Sequence, residues 1–440
     1  MNRETGKLIL YSNLGENSIL ANISAIYDDW KNGFDKNKIT ERVYREIKRL
    51  LDLGTEFGFD KNLWQNYLTY ILMTNENSFT LTAERAGVKE GTVNILAKKD
   101  FKIFKNLFNF DFMPLEKDLD IDCFSLITNY KAIAKRENVY NRNVSEKVRE
   151  LSEKIDGAKD ETEIFDIMTE YYKNFGVGIF GINKAFRIKK ENGKVEFLAV
   201  NNADKIKLDD LVGYEIQKKQ LRENTEAFVF GGGGNNALLY GDSGTGKSSS
   251  VKALINEYSD YGLRMIEIYK YQFRDLSEVI AKIKNRNYKF IIYIDDLSFE
   301  DDEVEYKFLK AVIEGGVETK PDNILIYATS NRRHLIKETW NDRNDTQFDG
   351  EVHRSDTVEE KLSLSSRFGV LINYSNPSRA EYYNIVEGIA KRYPQIKMSK
   401  EELLEEAKQW EVRHNGISGR MAQQFINYIA AKSNINEKNI

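Results

Sequence analysis

The chain has 440 residues, longer than one typical domain, so we expect two or three units that each bury a hydrophobic core. Lys and Arg total 65 against 69 Asp and Glu, which gives a formal net charge of −4 and excludes a strongly basic protein that binds nucleic acid through its overall charge. No run approaches the ~18 apolar residues that span a bilayer, and the first residues lack the apolar core of a signal peptide. We therefore expect a cytoplasmic protein with no membrane partner. Its single cysteine, Cys123, excludes an internal disulfide.

The first part of the chain shows helical periodicity. In "ITERVYREIKRLLDLGTEF" the apolar residues Ile39, Val43 and Ile47 recur on one face of a helix. Further on, "FRIKKENGKVEFLAV" alternates apolar and polar residues around Asn192-Gly193, a dipeptide typical of hairpin turns. We therefore predict a mainly α-helical N-terminal domain over residues 1–199 that ends in this hairpin.

One segment of this domain has the spacing of a helix-turn-helix. Within "TAERAGVKEGTVNILAKKDFKIFK", Ala83, Gly87 and Val93 occupy the small-residue, turn-glycine and packing positions of that motif. Lysines add local positive charge, but lysine runs also form ordinary solvated helix faces. Nucleic acid therefore stays open as a partner beside the alternative of a plain surface helix. The lysines are Lys89, Lys98, Lys99, Lys102 and Lys105.

From Leu208 onward, short apolar runs alternate with helical stretches. The runs "NALLY", "LRMIEIY", "KFIIYI", "NILIYAT" and "GVLINY" predict five strands of a parallel α/β sheet. We assign residues 200–375 to this α/β domain and residues 376–440, which are purely helical in pattern, to a small C-terminal domain. The polar stretch "NDRNDTQFDGEVHRSDTVEEK" predicts a flexible insertion between two strands.

A glycine-rich turn after the first of these strands predicts a phosphate site. Gly241, Gly246, Lys247 and Ser248 satisfy the pattern G-x-x-x-x-G-K-[ST] between a strand and a helix. Backbone N–H groups of such a loop face phosphate oxygens, and the helix N-terminus adds partial positive charge. We expect Lys247 to reach the β and γ phosphates and Ser248 to place its hydroxyl on Mg²⁺. The predicted cradle comprises Gly241, Asp242, Ser243, Gly244, Thr245, Gly246, Lys247, Ser248 and Ser249.

A second element follows the strand "KFIIYI", which is apolar enough to be buried on both faces. Its carboxyl end carries Asp295 and Asp296. We expect Asp295 to hold Mg²⁺ through water and Asp296 to act as the general base on the attacking water. Asp is one methylene shorter than Glu, so Glu300 is an alternative base.

On these elements the chain resembles the AAA+ ATPases from about Leu208 to the C-terminus. The segment "LDDLVGYEIQKKQLRENTEAF" looks like the one that wraps adenine in that superfamily, "NILIYATSNRR" like its sensor 1 strand, "LSLSSRFGV" like its arginine-finger segment and "GISGRMAQQF" like its sensor 2 helix. More narrowly, "DDLSFE", "ATSNRRHL" and "SGR" resemble a bacterial AAA+ family catalogued as a domain of unknown function. The residues that the resemblance assigns are Val212, Gly213 and Tyr214 at the base, Asn331 as sensor 1, Arg367 as the finger and Arg420 as sensor 2.

The resemblance implies an α/β P-loop NTPase fold of the AAA+ type, with a five-stranded parallel sheet and a C-terminal helical lid after the N-terminal domain. It also implies binding of ATP or ADP and hydrolysis of ATP with Mg²⁺. An arginine finger usually comes from a neighbouring subunit, so we expect a homo-oligomeric ring built head to tail. Arg332 or Arg333 is an alternative finger.

Three uses of the ATP remain open at this stage. A ring that remodels a protein or complex is favoured, with Tyr269, Tyr271 and Phe273 in "YKYQFRDL" as candidate aromatics of a pore loop. A nucleic-acid-associated ATPase, similar to initiators or loaders, is the second. The third is a slow ATP-dependent switch or scaffold, which Asp296 in place of Glu would suit.

Overall fold

The computed structural model describes residues 1–15, 18–87, 90–132, 142–200, 204–300, 303–314, 321–332, 335, 364–414 and 416–438. The chain divides into two compact units, one of Met1–Lys184 with Ala199–Asn202 and one of Ala185–Leu198 with Ala203–Ile440. The predicted insertion at residues 341–361 lies outside the described residues, as do Lys89 and Arg333.

The first unit is helical, as predicted. Its core is rich in aromatic side chains, and Ile39, Val43 and Ile47 are buried along one face of α3, which the periodicity predicted. The indole N–H of Trp64 donates to the carbonyl of Leu107 at 2.8 Å, so this buried ring has a partner for its polar atom. The described helices are α1 (Asn2–Thr5), α2 (Ile19–Lys31), α3 (Lys36–Phe57), α4 (Leu63–Thr74), α5 (Ser78–Ala86), α6 (Thr92–Phe108), α7 (Met113–Leu119), α8 (Cys123–Thr128), α9 (Arg142–Gly157), α10 (Glu161–Phe175) and α11 (Ile179–Ile182).

Helices α5 and α6 occupy the segment with helix-turn-helix spacing. Ala83 is buried, and Gly87 ends α5 with φ 63°, a left-handed value that glycine tolerates. Lys98 Nζ lies 5.0 Å from the centroid of the Phe165 ring, and Lys105 donates to a carbonyl of the same unit. Both helices are therefore present, while residues 88–89 between them lie outside the described residues. Two of the lysines contact the protein itself, and nucleic-acid binding stays a prediction.

The second unit contains a seven-stranded sheet of order β2-β1-β4-β5-β6-β3-β7. The five predicted strands are all present, and each of their neighbouring pairs is parallel, for example Leu238 opposite Ala328 and Leu371. The strands are β1 (Ala185–Glu191), β2 (Lys194–Ala199), β3 (Ala237–Gly241), β4 (Leu263–Glu267), β5 (Lys289–Ile294), β6 (Ile324–Ser330) and β7 (Val370–Tyr374).

The hairpin does not close the N-terminal domain, and that part of the prediction is wrong. Strand β1 pairs in parallel with β4, with Ala185 opposite Met265 and Phe186 opposite Ile266, so β1 and β2 extend the sheet of the second unit. The physical reason is that β4 would otherwise be an edge strand with unpaired backbone groups, and β1 satisfies them.

Helices flank the sheet and follow it. Helices α12 and α13 pack against one face, where alternate residues such as Ile291 and Tyr293 of β5 are buried. The last three helices form a lid with a hydrophobic core of its own, and α16 begins with a capping box between Ser378 and Glu381. The remaining helices are α12 (Glu215–Val229), α13 (Lys247–Tyr258), α14 (Leu276–Ile283), α15 (Glu305–Glu314), α16 (Arg379–Ala390), α17 (Lys400–His414) and α18 (Gly419–Lys438).

The predicted α/β fold is thus confirmed, with a five-stranded parallel sheet, a C-terminal helical lid and a helical N-terminal region. The hairpin strands are an addition to that sheet. The lid boundary at residues 375–376 stays a prediction. Among the described helices, none has the length and apolarity that crossing a bilayer requires.

Candidate functional site

A cleft of about 590 Å³ lies where β3, β5 and β6 end and the lid begins. Parallel strands present their carboxyl ends at one edge of the sheet, which is where α/β proteins usually bind ligands. Most of the residues that the sequence singled out line this cleft. They are Val212, Tyr214, Ser243, Gly244, Thr245, Gly246, Lys247, Ser248, Ser249, Asp295, Asp296, Asn331 and Arg420.

The glycine-rich turn forms one wall of the cleft. Gly241 has φ 131°, and a Cβ at this position would lie 2.2 Å from the carbonyl oxygen of Tyr374, so the close approach of β3 to β7 requires glycine. Gly246 has φ 95° and immediately precedes the first residue of α13. The loop therefore delivers the N-terminus of α13, with its partial positive charge, to the cleft.

Lys247 is the cation of this wall. Its side-chain ammonium donates to the carbonyls of Gly241 at 2.9 Å and Asp242 at 2.6 Å, and to Oδ1 of Asn331 at 3.0 Å. Burial lowers the pKa of Lys247 below its usual value, while the carboxylates of Asp242 and Asp296 act in the opposite direction. Gly241 and Asp242 thus do not line the cleft themselves but fix the lysine that does.

Ser248 and Asp295 lie together next to this lysine. The Ser248 hydroxyl donates to Oδ1 of Asp295 at 2.7 Å, and Thr329 donates to the same oxygen at 2.6 Å. Burial alone would raise the pKa of Asp295, but the hydrogen bonds from Thr329 and Ser248 outweigh it, so the pKa lies below its usual range. A hydroxyl beside an ionised carboxylate is a donor set that suits Mg²⁺.

The described side chains of this cleft do not by themselves form a complete metal-binding site. Across the described ranges, no group of three or more His, Cys, Asp or Glu side chains could hold a metal ion. Mg²⁺ is commonly held by one or two protein oxygens, with substrate phosphates and water completing its shell. Ser248 and Asp295 therefore fit a metal that arrives with a phosphate ligand.

Asp296 takes an unusual backbone conformation. Its φ is 51°, in the left-handed region that L-residues other than glycine rarely adopt. Its N–H donates to the Thr329 hydroxyl at 3.0 Å, and its Oδ1 accepts from the side-chain amide of Asn331 at 2.9 Å. Because Asn331 also contacts Lys247, this amide joins the second carboxylate to the cation of the cradle.

An apolar wall lies at the other end of the cleft. Val212 packs closely against the lid, since a Cβ on Gly388 would approach its Cγ2 within 2.6 Å. The Tyr214 ring stacks on Tyr374 with centroids 5.1 Å apart, and its hydroxyl donates to the carbonyl of Ser375 at 2.9 Å. Gly213, between them, has φ 84° and does not line the cleft itself. This wall has the apolar and aromatic character that a purine base requires.

The lid contacts the cradle directly. The backbone N–H of Arg420, in the first turn of α18, donates to the carbonyl of Gly244 at 3.0 Å. The approach is close, since a Cβ on Gly244 would lie 3.0 Å from the Ser418 hydroxyl and one on Gly419 would lie 3.3 Å from the Gly244 carbonyl. The N-termini of α13 and α18 therefore lie close together at the glycine-rich turn.

Arg367 does not line the cleft of its own chain. Its guanidinium forms an ion pair with Glu314 at the end of α15, and its Nε is buried without a hydrogen-bond partner in the part of the chain that the structure describes. Glu300 also lies outside the cleft and is 3.8 Å from Arg332. The structure therefore brings Asp296, rather than Glu300, to the cradle.

The sequence analysis missed several residues of the site. Thr329 is the most informative, because it is a polar residue in β6, a strand that is buried along its whole length. A buried polar side chain needs a partner, so this position carried a readable signal. Lys218 is also buried at the cleft, and its ammonium donates to the carbonyl of Leu211 at 2.6 Å. Nothing in the sequence indicated that this lysine belongs to the site.

The candidate pore-loop aromatics divide into two groups. The rings of Tyr269 and Tyr271 stack with centroids 5.8 Å apart, and Tyr271 is 75% exposed. Phe273 is buried and packs against Phe299, so it is not available at the surface.

Comparison with known proteins places the chain in a family. The model of the family described as "Protein of unknown function (DUF815)" matches residues 182–433. Among solved structures, the chain is similar to the Thermotoga maritima RuvB Holliday junction branch migration motor at 15% identity and a TM-score of 0.33, over 51% of this chain and 72% of that chain. One variant of that motor matches at 14% identity with a TM-score of 0.32, over 50% of this chain and 71% of that chain. No curated protein sequence matches the chain. Because the family model covers more than half of the chain, the protein belongs to the DUF815 family.

Proposed function

We propose that this protein binds ATP with Mg²⁺ and hydrolyses it. One observation carries the proposal: the Lys247 ammonium, the Ser248–Asp295 pair and the Asp296–Asn331 pair converge on a single cleft beneath the lid. A cation, a metal-binding oxygen pair and a second carboxylate are the groups that phosphoryl transfer to water requires.

Binding would exchange contacts within the protein for contacts with phosphate. The Lys247 ammonium now donates to two carbonyl oxygens and one amide oxygen. Phosphate oxygens carry negative charge and accept stronger hydrogen bonds from an ammonium than neutral oxygens do. The helix N-termini of α13 and α18 would add to this attraction, and the wall at Val212 and Tyr214 would receive the base.

Hydrolysis would use the second carboxylate. When bound, Mg²⁺ neutralises charge on the phosphates, and Ser248 and Asp295 are the residues that would hold it. Asp296 would accept a proton from the attacking water, and Asn331, which contacts both Asp296 and Lys247, would orient that water beside the γ phosphate. Arg420 would neutralise charge on the γ oxygens from the lid side.

The proposed active unit is a head-to-tail homo-oligomer. Arg367 is paired with Glu314 and lies away from the cleft of its own chain, which supports a role in the cleft of a neighbour. A guanidinium supplied in this way completes the site only in the assembly.

We propose further that the energy serves to remodel a protein or a complex. The exposed, stacked rings of Tyr269 and Tyr271 favour this use, because paired aromatic surfaces suit apolar polypeptide segments. Two other functions compete with this one: an ATPase that acts on nucleic acid and a slow ATP-dependent switch. The experiment below distinguishes them.

The experiment combines binding with stimulated turnover. Calorimetry with ATP and Mg²⁺ tests the binding, and ATP hydrolysis is then measured alone, with an unfolded polypeptide, and with single- and double-stranded DNA. Stimulation by polypeptide supports the proposal, and stimulation by DNA transfers the function to nucleic acid. Slow turnover that neither polypeptide nor DNA stimulates supports the function of a slow switch. If the folded protein binds no nucleotide, the proposal as a whole is overturned.

A further inference from the structure

Thr329, near the end of β6, joins that strand to the residues that follow β5. Its hydroxyl donates a hydrogen bond of 2.6 Å to Oδ1 of Asp295 and accepts one of 3.0 Å from the backbone N–H of Asp296. Its carbonyl accepts from the N–H of Leu297 at 2.7 Å. One residue of β6 therefore forms hydrogen bonds with three consecutive residues of the segment that follows β5.

The hydroxyl group of Thr329 is poorly accessible to water. The residue is 1% exposed, so its hydroxyl is shielded from solvent where it meets Asp295 and the N–H of Asp296. Asp296 also has φ 51°, a conformation that its surroundings must hold in place. The bond from the Asp296 N–H to the Thr329 hydroxyl is one of the contacts that does so.

The second carboxylate oxygen of Asp295, Oδ2, lies near a lysine whose electrostatic attraction Thr329 opposes. Lys252 Nζ lies 3.7 Å from Oδ2 of Asp295, while Thr329 and Ser248 both hold Oδ1. A carboxylate without the Thr329 bond is free to turn toward the lysine ammonium, because the electrostatic attraction on that side remains. Such a turn would move Oδ1 away from the Ser248 hydroxyl.

We propose that Thr329 is a positioning residue that sets both carboxylates of the site, Asp295 for the metal and Asp296 for the water. The inference rests on the proposed function, because it assigns Thr329 a part in the same reaction. Thr329 touches neither nucleotide nor metal in this scheme and acts through the two aspartates. Its role therefore differs from those of Lys247 and Ser248, which bind directly.

The test compares Thr329→Val, which removes the hydroxyl at nearly constant shape, with Thr329→Ser, which retains it. Thr225→Val is the matched control, because the Thr225 hydroxyl is equally buried, donates to the Leu221 carbonyl at 2.8 Å and lies 3.0 Å from the Tyr327 hydroxyl, away from the cleft. Thermal unfolding of all three variants confirms that each is folded.

The first readout needs neither nucleotide nor metal. Hydrogen–deuterium exchange is followed in peptides that span residues 294–298. In Thr329→Val we expect the Asp296 amide to exchange about tenfold faster or more, since it loses its acceptor. The Leu297 amide should change less, because its acceptor is the Thr329 backbone carbonyl. Thr329→Ser and Thr225→Val should retain the wild-type rate at Asp296.

The second readout is the gain in affinity for a nonhydrolysable ATP analogue when Mg²⁺ replaces EDTA. We expect Thr329→Val to lose about tenfold of this gain, and Thr329→Ser to stay within about threefold of the wild type. Thr225→Val should retain the full gain even where its unfolding temperature falls.

The two readouts separate the possible failures. A wild type that binds no nucleotide overturns the proposed function, and with it the role of Thr329 in that reaction. If the wild type binds nucleotide but Thr329→Val retains both the wild-type exchange and the wild-type gain with Mg²⁺, the positioning role alone is overturned. Equal effects of Thr225→Val and Thr329→Val would also overturn it, since both would then reflect general loosening of the unit.

Discussion

Ser248 donates a hydrogen bond of 2.7 Å from its hydroxyl to Oδ1 of Asp295 and so joins the first turn of α13 to the end of β5. The two residues come from separate parts of the sequence, and the parallel sheet brings them together because β3 and β5 end at the same edge. The oxygen atoms that a magnesium ion would need are thus oriented by the protein's own hydrogen bonds. Preorganisation of this kind reduces the cost of binding.

Removal of the Lys247 ammonium tests the phosphate cradle. Lys247→Ala should lower the affinity for ATP by about a hundredfold, because charge-assisted hydrogen bonds to phosphate are lost. Isothermal titration calorimetry measures this change. Lys219→Ala is the control, since Lys219 on α12 has a side chain that is 76% exposed and pairs with Glu223. Wild-type affinity in Lys247→Ala would contradict the assignment of the cradle.

The choice of general base can be tested with two carboxylates. Asp296→Asn should retain ATP affinity and lower turnover by about a hundredfold or more, because the amide cannot accept the proton of the water. Glu300→Gln should retain turnover, since Glu300 lies outside the cleft beside Arg332. Steady-state hydrolysis and calorimetry on both variants provide the answer. The reverse pattern, with turnover lost in Glu300→Gln alone, would transfer the role to Glu300.

The sequence was most informative where local chemistry decides the structure. The pattern that ends in Gly246, Lys247 and Ser248 predicted a strand, a turn and a helix, and the structure contains all three. Strand β5 was recognisable because every residue from Phe290 to Ile294 is apolar or aromatic, as burial on both faces requires. These features depend on residues that are neighbours in the chain.

Features that depend on distant residues could not be predicted in the same way. The Asn192-Gly193 turn indicated a hairpin, but nothing in its sequence showed that β1 would pair with β4. The left-handed Asp296, which follows β5, donates its N–H to the hydroxyl of Thr329 in β6. Local pattern thus predicts which elements exist, while tertiary pairing decides where they lie and which contacts their side chains make.

The close approach of β3 to β7 makes Gly241 a stability determinant. Gly241→Ala should destabilise the protein by about 3 kcal/mol or more, because the new methyl group would overlap the Tyr374 carbonyl at an unfavourable φ. Gly262→Ala isolates the cost of the backbone conformation, since Gly262 has φ 89° with open space around it, and should cost about 1 kcal/mol. Urea denaturation measures both. Equal losses in the two variants would show that the overlap with Tyr374 is relieved without cost.

The exposed tyrosines provide a test of protein remodelling. Tyr271→Ala should reduce the stimulation of hydrolysis by an unfolded polypeptide by about tenfold, while basal turnover stays unchanged because Tyr271 does not line the cleft. Tyr261→Ala is the matched control, since Tyr261 is 63% exposed and pairs with Phe230 at 5.3 Å. Both are compared in one stimulated ATPase assay. Loss of stimulation in both variants would indicate a general effect of exposed aromatic rings.

The arginine finger can be tested by mixing two inactive proteins. Arg367→Ala should retain ATP affinity and lower turnover by about a thousandfold, since a finger contributes only when charge develops on the phosphates. Lys247→Ala should bind ATP about a hundredfold more weakly in its own cleft but still carry an intact Arg367. If the finger acts in a neighbour's cleft, mixed oligomers will contain sites with Lys247 from one subunit and Arg367 from the next. Mixing the two variants should therefore restore part of the turnover.

The restored turnover has a defined dependence on composition. It should be greatest near equal amounts of the two variants, because that mixture contains the most junctions between unlike subunits. Glu314→Gln should retain turnover, because it releases Arg367 from its ion pair without removing the guanidinium. Turnover that stays at the level of the separate variants at every ratio, in mixtures that sizing shows to be co-assembled, would contradict a finger supplied by the neighbour. Normal turnover in Arg367→Ala alone would remove Arg367 from the mechanism.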